Sequence, residues 1–256
     1  MWLAQSNDVF NFNFGEHVVL SSRRSAAHYT IAAGQAPRWY NPGAMLDLSI
    51  ATLISRLIIL TIAFTVHEFS HAWTADQLGD DTARRAGRLT LNPLSHLDPL
   101  GSLLLIVAGF GWAKPVPINP YALERRTPAG TMLVSAAGPF SNLLLAIVGS
   151  IPFQMGILTP SRGGGILPTP SGFLLEFIFI NLILLFFNLI PVSPLDGEKV
   201  LEYFLPPEGR ATLYRLRPYG PMILMLLVFI GPFLGLDLLG WFVGWPSQQL
   251  LRFLVL

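Results

Sequence analysis

The sequence predicts an all-α polytopic membrane protein, with about four full transmembrane helices, one re-entrant or interfacial apolar segment, and short strand-like cytosolic loops. Three observations carry this expectation. The 256-residue chain is 52% hydrophobic and only 12% charged, about half the charged share of a soluble domain. Its mean hydropathy is +0.54. Its apolar runs are long and uncharged, with no internal repeat and no low-complexity tract. A net charge of +1 supplies no basic field, so no nucleic-acid partner is expected. The chain has no cysteine, which excludes disulfides and thiolate ligands. Any bound metal must be held by His, Asp or Glu.

Residues 1–45 are mixed and polar and read as an N-terminal surface arm. The first ten lack the positive start and continuous apolar core of a signal peptide. A membrane core follows over 46–217. Its first helix is expected at 46–73, with Arg56 the one charge before the first histidine. Residues 76–98 form a charged loop, in which 87–91 looks like a short strand ended by Asn92-Pro93. The uncharged stretch 99–113 is shorter than the roughly 20 residues a helix needs to cross the hydrocarbon, so it reads as re-entrant or interfacial. Alternating prolines make 114–120 extended. The second span is expected at 130–153 and the third at 171–193, with Glu176 near the start of the third. Residues 194–217 are polar and basic. Residues 218–256 hold the fourth helix, at 218–241, and an amphipathic tail with Trp241 and Trp245 that suits an interface.

This layout puts ten of the sixteen Lys and Arg residues in the loops 76–129 and 194–217, and five on the other side. The positive-inside bias therefore turns the C-terminal end of the first helix toward the cytosol. Arg84, Arg85 and Arg88 read as topology determinants or lipid-headgroup contacts.

That end of the first helix carries His67-Glu68-Phe69-Ser70-His71. Residues four apart share a helix face, so two imidazoles at this spacing can bind one zinc ion, and the glutamate can act as base on an attacking water. A chain of this composition would show the motif about 0.003 times by chance. The plain alternative is a polar cluster without metal, yet three ionisable groups within five residues of a membrane helix are costly unless paired or metal-bound. A catalytic zinc wants a third protein ligand and an open position. Asp196 is the candidate at matching depth, in a segment that Pro191 and Pro194 free from the helix. Its position alone leaves open an ordinary loop carboxylate beside Lys199. His96 is a possible fourth ligand, disfavoured because a fourth would close the site.

Taken together, His67-Glu68-x-x-His71, Gly138-Pro139-x-x-Asn142 and Asn188-x-x-Pro191-x-x-Pro194-Leu195-Asp196-Gly197 resemble the site-2 protease family of intramembrane zinc metalloproteases. Segments 92–101 and 111–117 are similar to its short prokaryotic branch. The resemblance covers roughly residues 60–205. It implies that His67, His71 and Asp196 bind one Zn2+ per chain and that Glu68 is the catalytic base. The family often continues the aspartate motif with a second glycine and an arginine, where this chain has Glu198 and Lys199.

Asn142 lies mid-span and must find a partner. It reads either as an oxyanion donor or as a group orienting a ligand, with helix–helix bonding the plain alternative. Asn188 has the same pair of readings. The proline stretch and strand 87–91 could offer an edge to an unwound substrate, or merely blunt one. The function expected is hydrolysis of peptide bonds within or near transmembrane helices, with membrane-protein substrates and the lipid bilayer as partners. A metal transporter or a non-catalytic scaffold for transmembrane helices are the alternatives. The expected location is a prokaryotic cell membrane, with the site opening toward the cytosol.

Overall fold

The computed structural model describes residues 50–98, 101, 113–161, 168–231, 234–235 and 237–256. The expected N-terminal arm lies outside the described residues. So does the 99–113 segment, apart from Gly101 and Ala113. Its neighbour Leu97 pairs with Ala113 in an isolated antiparallel bridge.

Among the described residues, four helices are long and apolar enough to cross a membrane. Helix α1 (Ile50–Gln77) has 28 residues, about 42 Å at 1.5 Å per residue, which exceeds a hydrocarbon core of about 30 Å. The histidine motif lies about 9–15 Å from its C-terminal end on the same rise. One face of α1 exposes Leu53, Ile54, Leu57, Ile58 and Ile62. The opposite face buries Ser55, Ile59, Ala63, His67, His71 and Ala75, each four residues from the last. This is the split expected of a helix with lipid on one side and protein on the other. Thr61, Thr65 and Ser70 return their hydroxyls to carbonyls one turn back, so none is left unpaired in an apolar setting.

A short helix, α2 (Thr82–Arg85), follows α1. Buried Asp80 organises this turn. Its carboxylate accepts from Thr82 N at 3.0 Å and from Asn119 N at 2.6 Å, joining the loop after α1 to the start of α3 (Pro120–Arg126). Ala75, Leu123 and Val134 close a small apolar core beside it. The expected strand 87–91 does not form. The segment runs through turns and bends, and among the described residues the bridge at Leu97 and Ala113 is the one trace of sheet pairing. The physical reason is that its polar groups find partners outside a ladder. Arg88 is 5% exposed and donates to the Lys114 carbonyl. Thr90 O accepts from His96 Nε2 at 2.7 Å. Arg88 is thus an interior side chain rather than a headgroup contact, whereas Arg84 and Arg85 pair with Asp76 and Asp81.

Helix α4 (Gly130–Gln154) lies between α1 and α5 (Pro170–Asn188). Its buried face is rich in small residues: Gly130, Ser135, Gly138, Ala146, Gly149 and Ser150. Small residues let helix backbones approach closely, which is how helices associate without a hydrophobic driving force between them. A Cβ on Gly149 would stand 3.0 Å from the Phe177 ring. Successive spans run antiparallel, so the start of α1 meets the start of α5. There Arg56 donates to Glu176 at 2.8 Å, which neutralises two charges that each span would otherwise carry alone.

After α5 the chain turns at Ser193-Pro194, a cis peptide bond, into α6 (Asp196–Phe204), which packs on α4. The fourth span departs from expectation. Helical structure starts at Pro207, not near 218. It runs through α7 (Pro207–Leu216), a 3-10 turn at Arg217–Tyr219, α8 (Gly220–Met225) and a π turn at Leu226–Ile230. Pro207 at the first helical position and the good helix formers after it support a helix that apolarity alone does not mark. Gly235, at φ +72°, turns the chain before 241 is reached. The tail forms α9 (Trp245–Val255), which buries Ser247, Leu251, Leu254 and Val255 against α5 and α4.

The Arg56–Glu176 pair gives a direct test of the bundle. Arg56→Met strands the glutamate and is expected to destabilise the protein by about 1–3 kcal/mol in detergent unfolding, with the Arg56→Met/Glu176→Met double variant recovering most of the loss.

Candidate metal centre

Two imidazoles and one carboxylate, distant in sequence, meet near the C-terminal end of α1. His67 and His71 project from the same face of that helix, and their rings meet edge to face with centroids 4.7 Å apart. Asp196, the first residue of α6, arrives from the loop after α5. Its Oδ2 lies 3.2 Å from His67 Nε2 and 3.3 Å from His71 Nε2. The three ligand atoms all lie within 4.8 Å of one another. The aspartate thus shares the depth of the histidines. Gly197 makes this approach possible, because a Cβ there would run into the Leu189 and Ile190 carbonyls.

The outer ring nitrogens fix how the inner ones face. His67 Nδ1 donates to Asn142 Oδ1 at 2.7 Å, and His71 Nδ1 donates to the Val134 carbonyl at 2.7 Å. With both Nδ1 protons so committed, both Nε2 atoms face the Asp196 carboxylate and are the nitrogens open to a metal. Three electron-pair donors then point at one spot, which is a metal-ligand arrangement. Two ligands of a tetrahedral zinc with bonds of about 2.0–2.1 Å stand about 3.3–3.4 Å apart, matching the 3.2 and 3.3 Å separations from Asp196 to the two imidazoles. The donor set of two nitrogens and one oxygen suits zinc and leaves a fourth position open. Gly138 of α4 faces both Nε2 atoms so closely that a Cβ there would collide with them.

Glu68 is buried next to His67. Arg88 lies within electrostatic reach of it. Burial pushes the Arg88 guanidinium below its ordinary value, and the Glu68 carboxylate partly offsets the effect. His96 stands apart from the cluster, with its Nε2 bonded to Thr90 O. Asn188 donates to Leu184 O of its own helix at 2.9 Å and is not part of this hydrogen-bond network. Asn142 donates its Nδ2 to Asn181 Oδ1 at 2.9 Å. Both its polar ends are therefore used, one on His67 and one on α5.

Sequence reasoning missed Asn181. The signal existed: an amide in the middle of an apolar span needs a partner as much as Asn142 does. It also missed the interior place of Arg88, since a loop arginine near a membrane most often meets headgroups or solvent. The closeness of Gly138 to the imidazoles makes a sharp prediction. Gly138→Ala is expected to weaken metal affinity at least about tenfold by displacing one or both rings, read by chelator competition with the purified protein.

Several curated proteins are similar to this chain. The protein named "Putative zinc metalloprotease YwhC" of Bacillus subtilis is 44% identical over 211 residues, 81% of this chain and 88% of that protein. Rip2 of Mycobacterium tuberculosis, with the same style of name, is 31% identical over 217 residues, 83% of this chain and 80% of its own. MJ0611 of Methanocaldococcus jannaschii, again so named, is 30% identical over 167 residues, 61% of this chain and 74% of its own. No protein-family model matches the chain, and no solved structure matches it significantly. The chain belongs to the site-2 protease-like family of zinc metalloproteases.

Proposed function

We propose that this metalloprotease cuts peptide bonds within or near the transmembrane helices of membrane-protein substrates. The observation that carries this reading is the convergence of His67, His71 and Asp196 at the end of a helix long and apolar enough to span a bilayer. A site at that depth is reached by a substrate lying in the membrane. The charge distribution supports a cytosolic opening in a prokaryotic cell membrane, because the loops at the motif end hold most of the Lys and Arg residues.

His67 Nε2, His71 Nε2 and an Asp196 oxygen would hold the ion. When bound, zinc supplies Lewis acidity and brings the pKa of a water down to about 7. Glu68 takes the proton from the attacking water and passes it to the leaving amine nitrogen. Asn142 and the Val134 carbonyl hold the two imidazoles in the tautomer that keeps Nε2 free. A substrate helix shields its peptide bonds with its own hydrogen bonds, so it must unwind locally to reach the carboxylate. Glycine or other weak helix formers near the cut should favour cleavage.

Two variants separate base from ligand. Glu68→Gln is expected to lower cleavage of a labelled membrane substrate by at least about 100-fold while the purified protein keeps its metal. Asp196→Ala is expected to lose both metal and cleavage. Chelator should stop the unsubstituted protein, and added zinc should restore it. Full cleavage by metal-checked Glu68→Gln protein, or transport of metal without any cut, would contradict the reading.

A further inference from the structure

The hydrogen-bond chain that ends at His67 has a direction, and that direction is set at its far end. Asn142 and Asn181 are both fully buried at 0% exposure. Asn181 Nδ2 donates to the Phe177 carbonyl at 2.8 Å. Asn142 Nδ2 donates to Asn181 Oδ1 at 2.9 Å. His67 Nδ1 donates to Asn142 Oδ1 at 2.7 Å. An amide side chain has nearly the same shape either way round, so only its partners decide which end faces which neighbour.

A backbone carbonyl can only accept. The Phe177 carbonyl therefore requires the NH2 group of Asn181, which leaves Asn181 Oδ1 facing Asn142. That oxygen requires the NH2 group of Asn142, which leaves Asn142 Oδ1 facing His67. The last oxygen requires a proton on His67 Nδ1, which in the neutral ring leaves Nε2 bare toward Asp196. With the Asn142 amide reversed, its NH2 group would meet His67 Nδ1, and the ring proton would move to the side where a metal must bind. His71 needs no such chain, because the Val134 carbonyl holds its Nδ1 proton directly. The two ligands differ in this respect: one is fixed in a single bond, the other through two amides on two different helices.

We propose that Asn181 is a positioning residue of the metal centre, holding the Asn142 amide in the orientation that leaves His67 Nε2 free to bind metal. The inference rests on the zinc reading of the site and adds α5 to the elements that set metal affinity. The low dielectric of the bundle sharpens the effect, since a mismatched amide there has no water to turn to.

The test uses the full chain in detergent, with zinc affinity measured by chelator competition and the visible spectrum of the Co2+-loaded protein as a second readout. Asn181→Leu keeps the volume and removes the acceptor. It is expected to weaken zinc binding by about 10–100-fold and to alter the Co2+ spectrum. The second variant is Asn142→Asp, whose carboxylate accepts from His67 whichever way it turns. In that background Asn181→Leu is expected to cause no further loss. Unchanged affinity and spectrum in Asn181→Leu alone would overturn the inference while leaving the metal site intact. An equal loss in the Asn142→Asp background would also overturn it, by showing that Asn181 acts only through packing. Failure of the unsubstituted chain to bind zinc would instead overturn the metal reading itself, and this inference with it.

Discussion

Two imidazole nitrogens and one carboxylate oxygen converge on one spot inside an apolar bundle, an arrangement that calls for positive charge between them. His67 Nε2, His71 Nε2 and Asp196 Oδ2 sit 3.2–3.3 Å apart across the aspartate. The outer nitrogens of both rings are tied to oxygen acceptors, so the inner Nε2 atoms are the ones kept for whatever lies between the rings and the carboxylate. A bound cation supplies that charge and can take all three groups as ligands.

The bundle is arranged around that constraint. Helix α1 offers both histidines from a single face because they are four residues apart. Helix α4 presents Gly138 where any side chain would strike the rings, and Val134 and Asn142 where the rings need acceptors. Those three positions are four residues apart along α4, so one helical stripe does all of this work. Helix α6 brings its first residue, Asp196, to the cluster, and its next residue must be glycine to clear the carbonyls at the end of α5. Farther along α6, buried Glu198 is gripped by Arg217 from the 3-10 turn inside the fourth helical run. Gly220 there packs so tightly on Ser193 that a Cβ would overlap its carbonyl. The aspartate loop is therefore held from the α4 side by the site and from the opposite flank by a salt bridge and backbone packing.

Much of this was legible in the sequence because the signals were local or nearly so. The three apolar spans expected at 46–73, 130–153 and 171–193 declare themselves by length and scarcity of charge, and the spacing of His67 and His71 is a fact about one helix. Asp196 was reachable because the two prolines just before it, Pro191 and Pro194, forbid a continued helix. What the sequence hid was of two kinds. One was helix beyond the lipid: residues 207–217 are too polar to read as a span, yet nothing in them breaks a helix. The other was pairing between distant side chains. The strand pattern at 87–91 looked adequate until Arg88 and His96 took up the polar groups around it. Asn181 shows the same gap, since the partner of a buried amide is decided by which helices lie side by side, and no single stretch of sequence states that.

The central claim concerns the atoms that surround the ion, and X-ray absorption at the zinc edge of the purified, zinc-loaded protein reads them most directly. The account predicts two imidazole nitrogens at about 2.0–2.1 Å and one or two oxygens at about 2.0–2.2 Å, with this shell lost in His71→Ala. A shell of oxygens without imidazole, or a spectrum unaltered by His71→Ala, would contradict it.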